Sequence, residues 1–404
     1  MLAHVFYNFS LAIRVIATAW SSIDRRYQEA AESLGETRVG MFFRVTLPLL
    51  APAVASGFVL IFIYTFLSFG IILVFGGVSF ATLEVAIYQE MFIDLDLVSA
   101  GVYSMVQLLL SVALIWTSTR AINASRVPRV SSERRLPALS QASVPARLLL
   151  GGYAVATLLF VLGPILTMVA RAFTGSGGFP SLENFRELLV PGAAERNVES
   201  ILRSTVPGVI GRSVAIAAAS GTLTFVAAAA TALSLRGKQN NALESVLQMP
   251  IGMSLVTVSL GLRFVWDGIV PPVALIVVGQ FFIAFPLVFR ILRTGVEELG
   301  EGPVRAAETL GAGRVAVLRD IELPLLRRTF LNAYAYALAL PFADLTVVLA
   351  AGRGRIATFP VAIYRLIGFR SFDLALALAV VYIVICLALF LVIDATSLAR
   401  RGTS

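Results

Sequence analysis

The chain has 404 residues, of which 58% are hydrophobic and 14% charged, and 32 Lys and Arg against 24 Asp and Glu give a net charge of +8. So low a charged fraction excludes an ordinary soluble globule, where roughly a quarter of residues are charged. The positive balance is arginine gathered in loops, the pattern of a membrane protein's inner side rather than of a nucleic-acid binder, and a single cysteine, Cys386, excludes an intrachain disulfide.

The opening run, MLAHVFYNFSLAIR, is apolar but has neither a basic start nor a small-residue cleavage site, so it makes a poor signal peptide. A polar stretch follows, QEAAESLGETRVGMFFRVTLPLL at Gln28–Leu50. Beyond it come uncharged runs near the ~20 residues that a helix needs to cross a bilayer. They predict spans near Ala51–Phe75, Leu97–Thr119, Leu148–Ala170, Ser213–Leu235, Ser245–Leu262, Gly268–Phe289, Thr329–Ala350 and Leu374–Ile393. With the opening run this makes an all-α, polytopic membrane bundle of about nine helices.

Loop charge orients the spans. Residues 120–147 carry Arg120, Arg126, Arg129, Arg134, Arg135 and Arg147 against Glu133, and are rich in Ser and Pro; they predict a flexible cytoplasmic linker. Arg236 and Lys238, and Arg400 and Arg401, mark the same side. Gly76–Asp96 has Glu84, Glu90, Asp94 and Asp96 without a Lys or Arg and reads as an outer loop, where Glu84, Asp94 and Asp96 are candidates to meet a binding protein. Ala351–Asp373 breaks the rule: span counting puts it outside, yet it holds Arg353, Arg355, Arg365 and Arg370. Those arginines need partners or a folded outer element.

A second polar stretch, VRAAETLGAGRVAVLRDIELPLL at Val304–Leu326, repeats the first at a constant offset of 276 residues. The shift pairs Ala30 with Ala306, Ala31 with Ala307, Glu32 with Glu308, Leu34 with Leu310, Gly35 with Gly311, Arg38 with Arg314, and Leu47-Pro48-Leu49-Leu50 with Leu323-Pro324-Leu325-Leu326. Far downstream it pairs VAIY at Val85–Tyr88 with VAIY at Val361–Tyr364. Two duplicated membrane halves in parallel orientation explain this: a first half at 1–119, the linker at 120–147, and a second half at 148–404. Met1 falls opposite Val277, inside a span, and Leu148–Ile276 has no counterpart. The expectation is a first half short by three spans, nine where a complete relative has twelve.

Each polar stretch predicts a helix, a turn and a second amphipathic stretch. Ala30, Ala31 and Leu34 favour helix. Gly35 and Gly311 stand where a helix end tolerates positive φ. Val39, Phe42 and Phe43 form an apolar face against Arg38 and Arg44. Pro48 and Pro324 suit the first turn of the next helix. Six predicted spans lie between the stretches, so both face one side, the cytoplasm. Two duplicate hairpins there suggest a two-fold symmetric partner.

Glu29-Ala30-Ala31, Gly35 and Val45-Thr46-Leu47-Pro48, with Arg305-Ala306-Ala307, Gly311 and Ile321-Glu322-Leu323-Pro324, resemble the EAA motif of permease subunits of binding-protein-dependent ABC importers. Val45 for Ile and Arg305 for Glu depart from it. The resemblance implies two type I permease halves with coupling loops at 21–50 and 294–328. Their motif residues Glu29, Ala30, Ala31, Glu32, Gly35, Pro48, Ala306, Ala307, Glu308, Gly311 and Pro324 would dock a dimer of ABC ATPase subunits. It implies a bacterial inner-membrane location, a periplasmic substrate-binding protein as second partner, and no cofactor on this chain, ATP and Mg belonging to the ATPase. More narrowly, LAHVFYNFSLAIR, ATLEVAIYQ and FPVAIYRLIGFRS resemble the fused permeases for thiamine and, as the alternative, ferric iron.

The chain has no G-x-x-x-x-G-K-[ST], one histidine and no Cys/His cluster, so the sequence makes no case for an enzyme. Asp344, an acid inside a predicted span after Pro341, is a candidate for the solute pathway, with Ser68 at its place in the first half. The other reading of Asp344 is a salt bridge to Arg263 or Arg290. An ion-coupled secondary transporter with duplicated halves is the competing class, but it has no need of matched cytoplasmic hairpins.

Overall fold

Backbone groups in a bilayer have no water to bond, so a spanning segment satisfies them within itself as a helix. The uncharged runs do so. The computed structural model describes residues 1–76, 80–124, 143–175, 178–190, 198–237 and 241–398. In chain order the helices are α1 (Leu2–Ser21), α2 (Arg25–Ser33), α3 (Arg38–Met41), α4 (Leu47–Phe66), α5 (Gly70–Phe75), α6 (Leu83–Phe92), α7 (Leu97–Ala124), α8 (Val144–Ala172), α9 (Glu183–Leu189), α10 (Val198–Leu202), α11 (Val206–Ser234), α12 (Asn241–Gln248), α13 (Leu255–Trp266), α14 (Pro272–Leu299), α15 (Gly302–Thr309), α16 (Arg314–Val317), α17 (Leu323–Phe342), α18 (Thr346–Ala351), α19 (Phe359–Gly368) and α20 (Phe372–Leu398). Among the described residues seven segments are long and apolar enough to cross a membrane.

Two expected spans fall short of that standard. The run Ser245–Leu262 breaks into α12, a tight turn at Met249–Gly252 and α13. Pro250 lies in that turn, and the 12 residues of α13 rise only about 18 Å, against a hydrocarbon core of ~30 Å. Helix α17 has the length, 20 residues, but carries Arg327 and Arg328 in its second turn.

The 276-residue offset recurs in the elements themselves. It carries α3 onto α16, α4 onto α17, α5 onto α18 and α6 onto α19, end for end. Two stretches read as loops are therefore helical in part: Gly76–Asp96 contains α6, and Ala351–Asp373 contains α19. Both VAIY segments lie in these helices. Of the predicted linker, residues 125–142 lie outside the described residues.

Contacts divide the chain into two units, Met1–Thr167 and Met168–Ser404. The first unit takes in most of α8, with Phe160 against the rings of Phe6 and Phe9 at 5.9 and 5.7 Å. Glu84 is not a solvated outer acid. It is 1% exposed in α6 and accepts a 2.8 Å hydrogen bond from Gln107 Nε2 of α7. Asp94 and Asp96 are exposed, and Asp96 caps α7 by accepting from the amides of Val98 and Ser99 at 3.0 and 3.1 Å.

In the second unit α11 lies against α14 and α17. Its inner face is a stripe of small residues, Ala217, Ser220, Gly221, Thr224, Ala228 and Ala232, recurring at helical spacing. Small residues let helices approach closely where lipid removes the hydrophobic drive. Phe285, Val288, Phe289 and Leu292 of α14 fill the space opposite. Two of the four arginines of 351–373 have partners: Arg353 pairs with Asp267, whose carboxyl that guanidinium holds below its usual range, and Arg365 donates to the carbonyls of Leu202 and Gly354 at 2.7 and 2.5 Å.

A Cβ at Gly221 would lie 2.7 Å from the carbonyl oxygen of Ala337, whereas one at Gly211 meets open space. Gly221→Val is expected to lower stability by about 1–3 kcal/mol through overpacking. Gly211→Ala is expected to stay within about 0.5 kcal/mol of the unaltered chain. Thermal unfolding in detergent compares the two.

Candidate functional site

The two polar hairpins fold alike. In the first, Asp24 caps α2 by accepting from the Arg26 amide at 3.0 Å. The helix ends at Gly35, whose φ of 80° is left-handed, and the Glu36 amide reaches back to the Ala31 carbonyl at 3.1 Å. In the second, α15 ends at Gly311 with φ 88°, and the Ala312 amide reaches the Ala307 carbonyl at 3.0 Å. This six-to-one closure satisfies a carbonyl that the helix end leaves open, and it needs a residue without Cβ strain at the left-handed position.

The closure fixes what the hairpins present. Ala30 and Ala306, Glu32 and Glu308 are exposed in both copies, while Ala31 is buried and Ala307 half-buried. Glu29 is exposed, as is Arg305 at its place in the second copy. Leu34 is 84% exposed and Leu310 89%, each pushed outward just before the glycine. Val39 and Val315 are exposed as well, at 68% and 79%. The expected amphipathic second stretch is therefore corrected. Val39 and Phe43 face outward and only Phe42 turns in, its ring 6.0 Å from Trp20. The two polar hairpins thus expose leucine and valine at equal positions.

Each hairpin then widens into a π-turn, Phe42–Thr46 and Leu318–Glu322, which the sequence reading lacked. The amides of Leu47 and Leu323 bond five residues back, to Phe42 and Leu318. The cause follows directly: Pro48 and Pro324 have no N–H and their rings crowd the carbonyl four residues earlier, so the helix takes one extra residue there. The Leu-Pro repeat was the available signal. Arg305, the departure from the motif, pairs with Glu301 one turn back. The first copy has Arg25 and Glu29 at these places, the same two charges in opposite order.

Asp344 and Ser68 occupy matching helix breaks, between α17 and α18 and between α4 and α5. Asp344 is buried. It accepts from Gln280 Nε2 and from the Val347 amide, each at 3.2 Å. Gln280 also donates to the Pro341 carbonyl at 3.1 Å and accepts from Ser220 Oγ at 2.8 Å. The expected salt bridge takes other partners: Arg263 pairs with Asp267, and Arg290 donates to Gln248 Oε1 at 2.6 Å. Ser68 is half-buried, and the offset brings His4 to the place of Gln280 and Thr65 to that of Pro341, so the first half has no carboxylate there. Sequence reasoning missed Gln280 and Ser220 because an uncharged polar residue inside an apolar run carries no periodic signal.

Gly35→Val and Gly311→Val place a β-branched residue at positive φ, at a cost of about 1–3 kcal/mol to the hairpin. Hydrogen exchange checks this: the Glu36 and Ala312 amides are expected to lose protection while α14 and α17 keep theirs.

The family model for the binding-protein-dependent transport system inner membrane component matches residues 1–132 and 220–401. Among curated proteins, the thiamine transport system permease protein ThiP of Brucella suis is 27% identical over 99% of this chain and 72% of its own length. ThiP of Escherichia coli K12 is 26% identical over 98% of this chain and 72% of its own. A solved bacterial ABC transporter involved in import of the polysaccharide alginate aligns with 65% of this chain and 98% of its own at 15% identity, with a TM-score of 0.49. Over most of its length, and through both hairpins, this chain belongs to the family of binding-protein-dependent transport system inner membrane components.

Proposed function

We propose that this chain is the membrane subunit of an ATP-driven importer that passes thiamine from a periplasmic binding protein to the cytoplasm by alternating access. ATP is hydrolysed on a separate pair of ATPase subunits, and each hairpin docks one of them. One observation carries this reading: two hairpins 276 residues apart present the same exposed leucine and valine on the same closed turn. A duplicated contact suits a two-fold partner. The thiamine assignment is supported by the ThiP relatives.

The paired helix breaks at Ser68 and Asp344 are the proposed solute path. Thiamine is a cation, and a carboxylate held by a neutral amide offers it a counter-charge when the bundle opens at the break.

Two experiments test this. The double variant Leu34→Ser, Leu310→Ser is expected to lose most co-purifying ATPase while the chain still folds, and each single variant to lose less; equal recovery of ATPase with the double variant would contradict the docking role. Uptake by vesicles holding the full importer is expected for thiamine, saturably, and to fall in Asp344→Asn with ATPase association intact. Iron uptake without thiamine uptake would move the chain to the ferric branch.

A further inference from the structure

The two hairpins match in their turns but differ in how they join the bundle. The second is tied by an ion pair to the residues where α11 stops. Arg236 Nη1 forms an ion pair with Glu322, in the π-turn that closes the hairpin, and the two side chains keep only 16% and 10% exposure. Gly237, left-handed at φ 66°, lies beside the carboxylate of Glu301, which starts the hairpin, so that a Cβ there would push that side chain aside. The residue before them, Leu235, accepts through its carbonyl a hydrogen bond from Arg293 Nη1 of α14 at 3.0 Å. Arg293 also pairs with Glu244 of α12 at 2.8 Å and with Glu297 at 3.0 Å. A run of charged contacts thus joins the second hairpin to the end of α11, and from there to α12 and α14.

The first hairpin has Thr46 where the second has Glu322, and Ala17 stands opposite Arg293, so neither contact has a charged equivalent there. A nearly buried ion pair rarely adds stability over apolar packing of the same shape, so its use here argues for holding a geometry. Arg236 Nε and Nη2 have no partner among the described residues, which leaves Glu322 as the group that fixes the guanidinium.

We propose that Arg236 and Glu322 are positioning residues that carry movement of the second hairpin into α11 and α14. The inference rests on the docking role proposed above. It names the joint through which a docked ATPase would act on the membrane helices.

The test uses the complete importer: this chain with its ATPase subunits and binding protein, reconstituted in vesicles. Glu322→Gln and Arg236→Gln are compared with the charge-reversed pair Arg236→Glu, Glu322→Arg, reading solute imported per ATP hydrolysed. The single variants are expected to keep their ATPase subunits and still hydrolyse ATP, while import per ATP falls roughly fivefold or more, the size of an ordinary coupling energy. The reversed pair is expected to regain part of that loss. An unchanged ratio in both single variants would overturn the proposal. So would loss of folding or assembly with no recovery in the reversed pair, since the contact would then be structural only. If the unaltered chain recovers no ATPase subunit at all, it is the docking role that fails.

Discussion

A helix end leaves carbonyls without partners, and each hairpin closes one of them by turning through a single left-handed glycine. At Gly35 and Gly311 the chain reverses, an amide bonds to the alanine carbonyl five residues back, and the preceding leucine is driven outward. The prolines that follow then force the wider turn leading into α4 and α17. An alanine face, an exposed leucine and a rigid exit into a long helix are consequences of those two backbone constraints. Because both copies obey both constraints, they present one surface twice.

Inside the membrane-embedded segments the same rule about unmet backbone groups acts differently. Helices α4 and α17 each stop short and restart, leaving polar groups at the breaks. In the second half those groups are met by Asp344 and Gln280, with Ser220 behind them. The first half has Ser68, Thr65 and His4 at the equivalent places. The duplication is faithful in backbone and divergent in side chains, so matching breaks carry different chemistry in the two halves.

Much of this was legible in the sequence because it is local. The spacing from Ala30-Ala31 through Gly35 to Pro48, and its repeat, needs no tertiary information to imply a helix, a left-handed turn and a helix start. Charge alone misled where tertiary packing decides. Glu84 looked like an outer-loop acid because no basic residue stands near it in the chain, yet α6 turns it onto Gln107. Arg353 and Arg365 looked misplaced until Asp267 and the carbonyls of Leu202 and Gly354 supplied partners. Glu322 and Arg236 lie far apart in sequence, and no periodicity links them. The break at Pro250 was visible as a proline, but its effect, dividing an apparent span into α12 and α13, depends on the turn that follows.

The proposed docking role requires one chain to offer two equivalent docking points. The mass of the intact detergent-solubilised complex, measured with the unaltered chain, tests it most directly. A complex of one copy of this chain with two ATPase subunits is the predicted result. A stable complex holding one ATPase subunit per chain, or the chain alone at ATPase concentrations that saturate other importers, would contradict it.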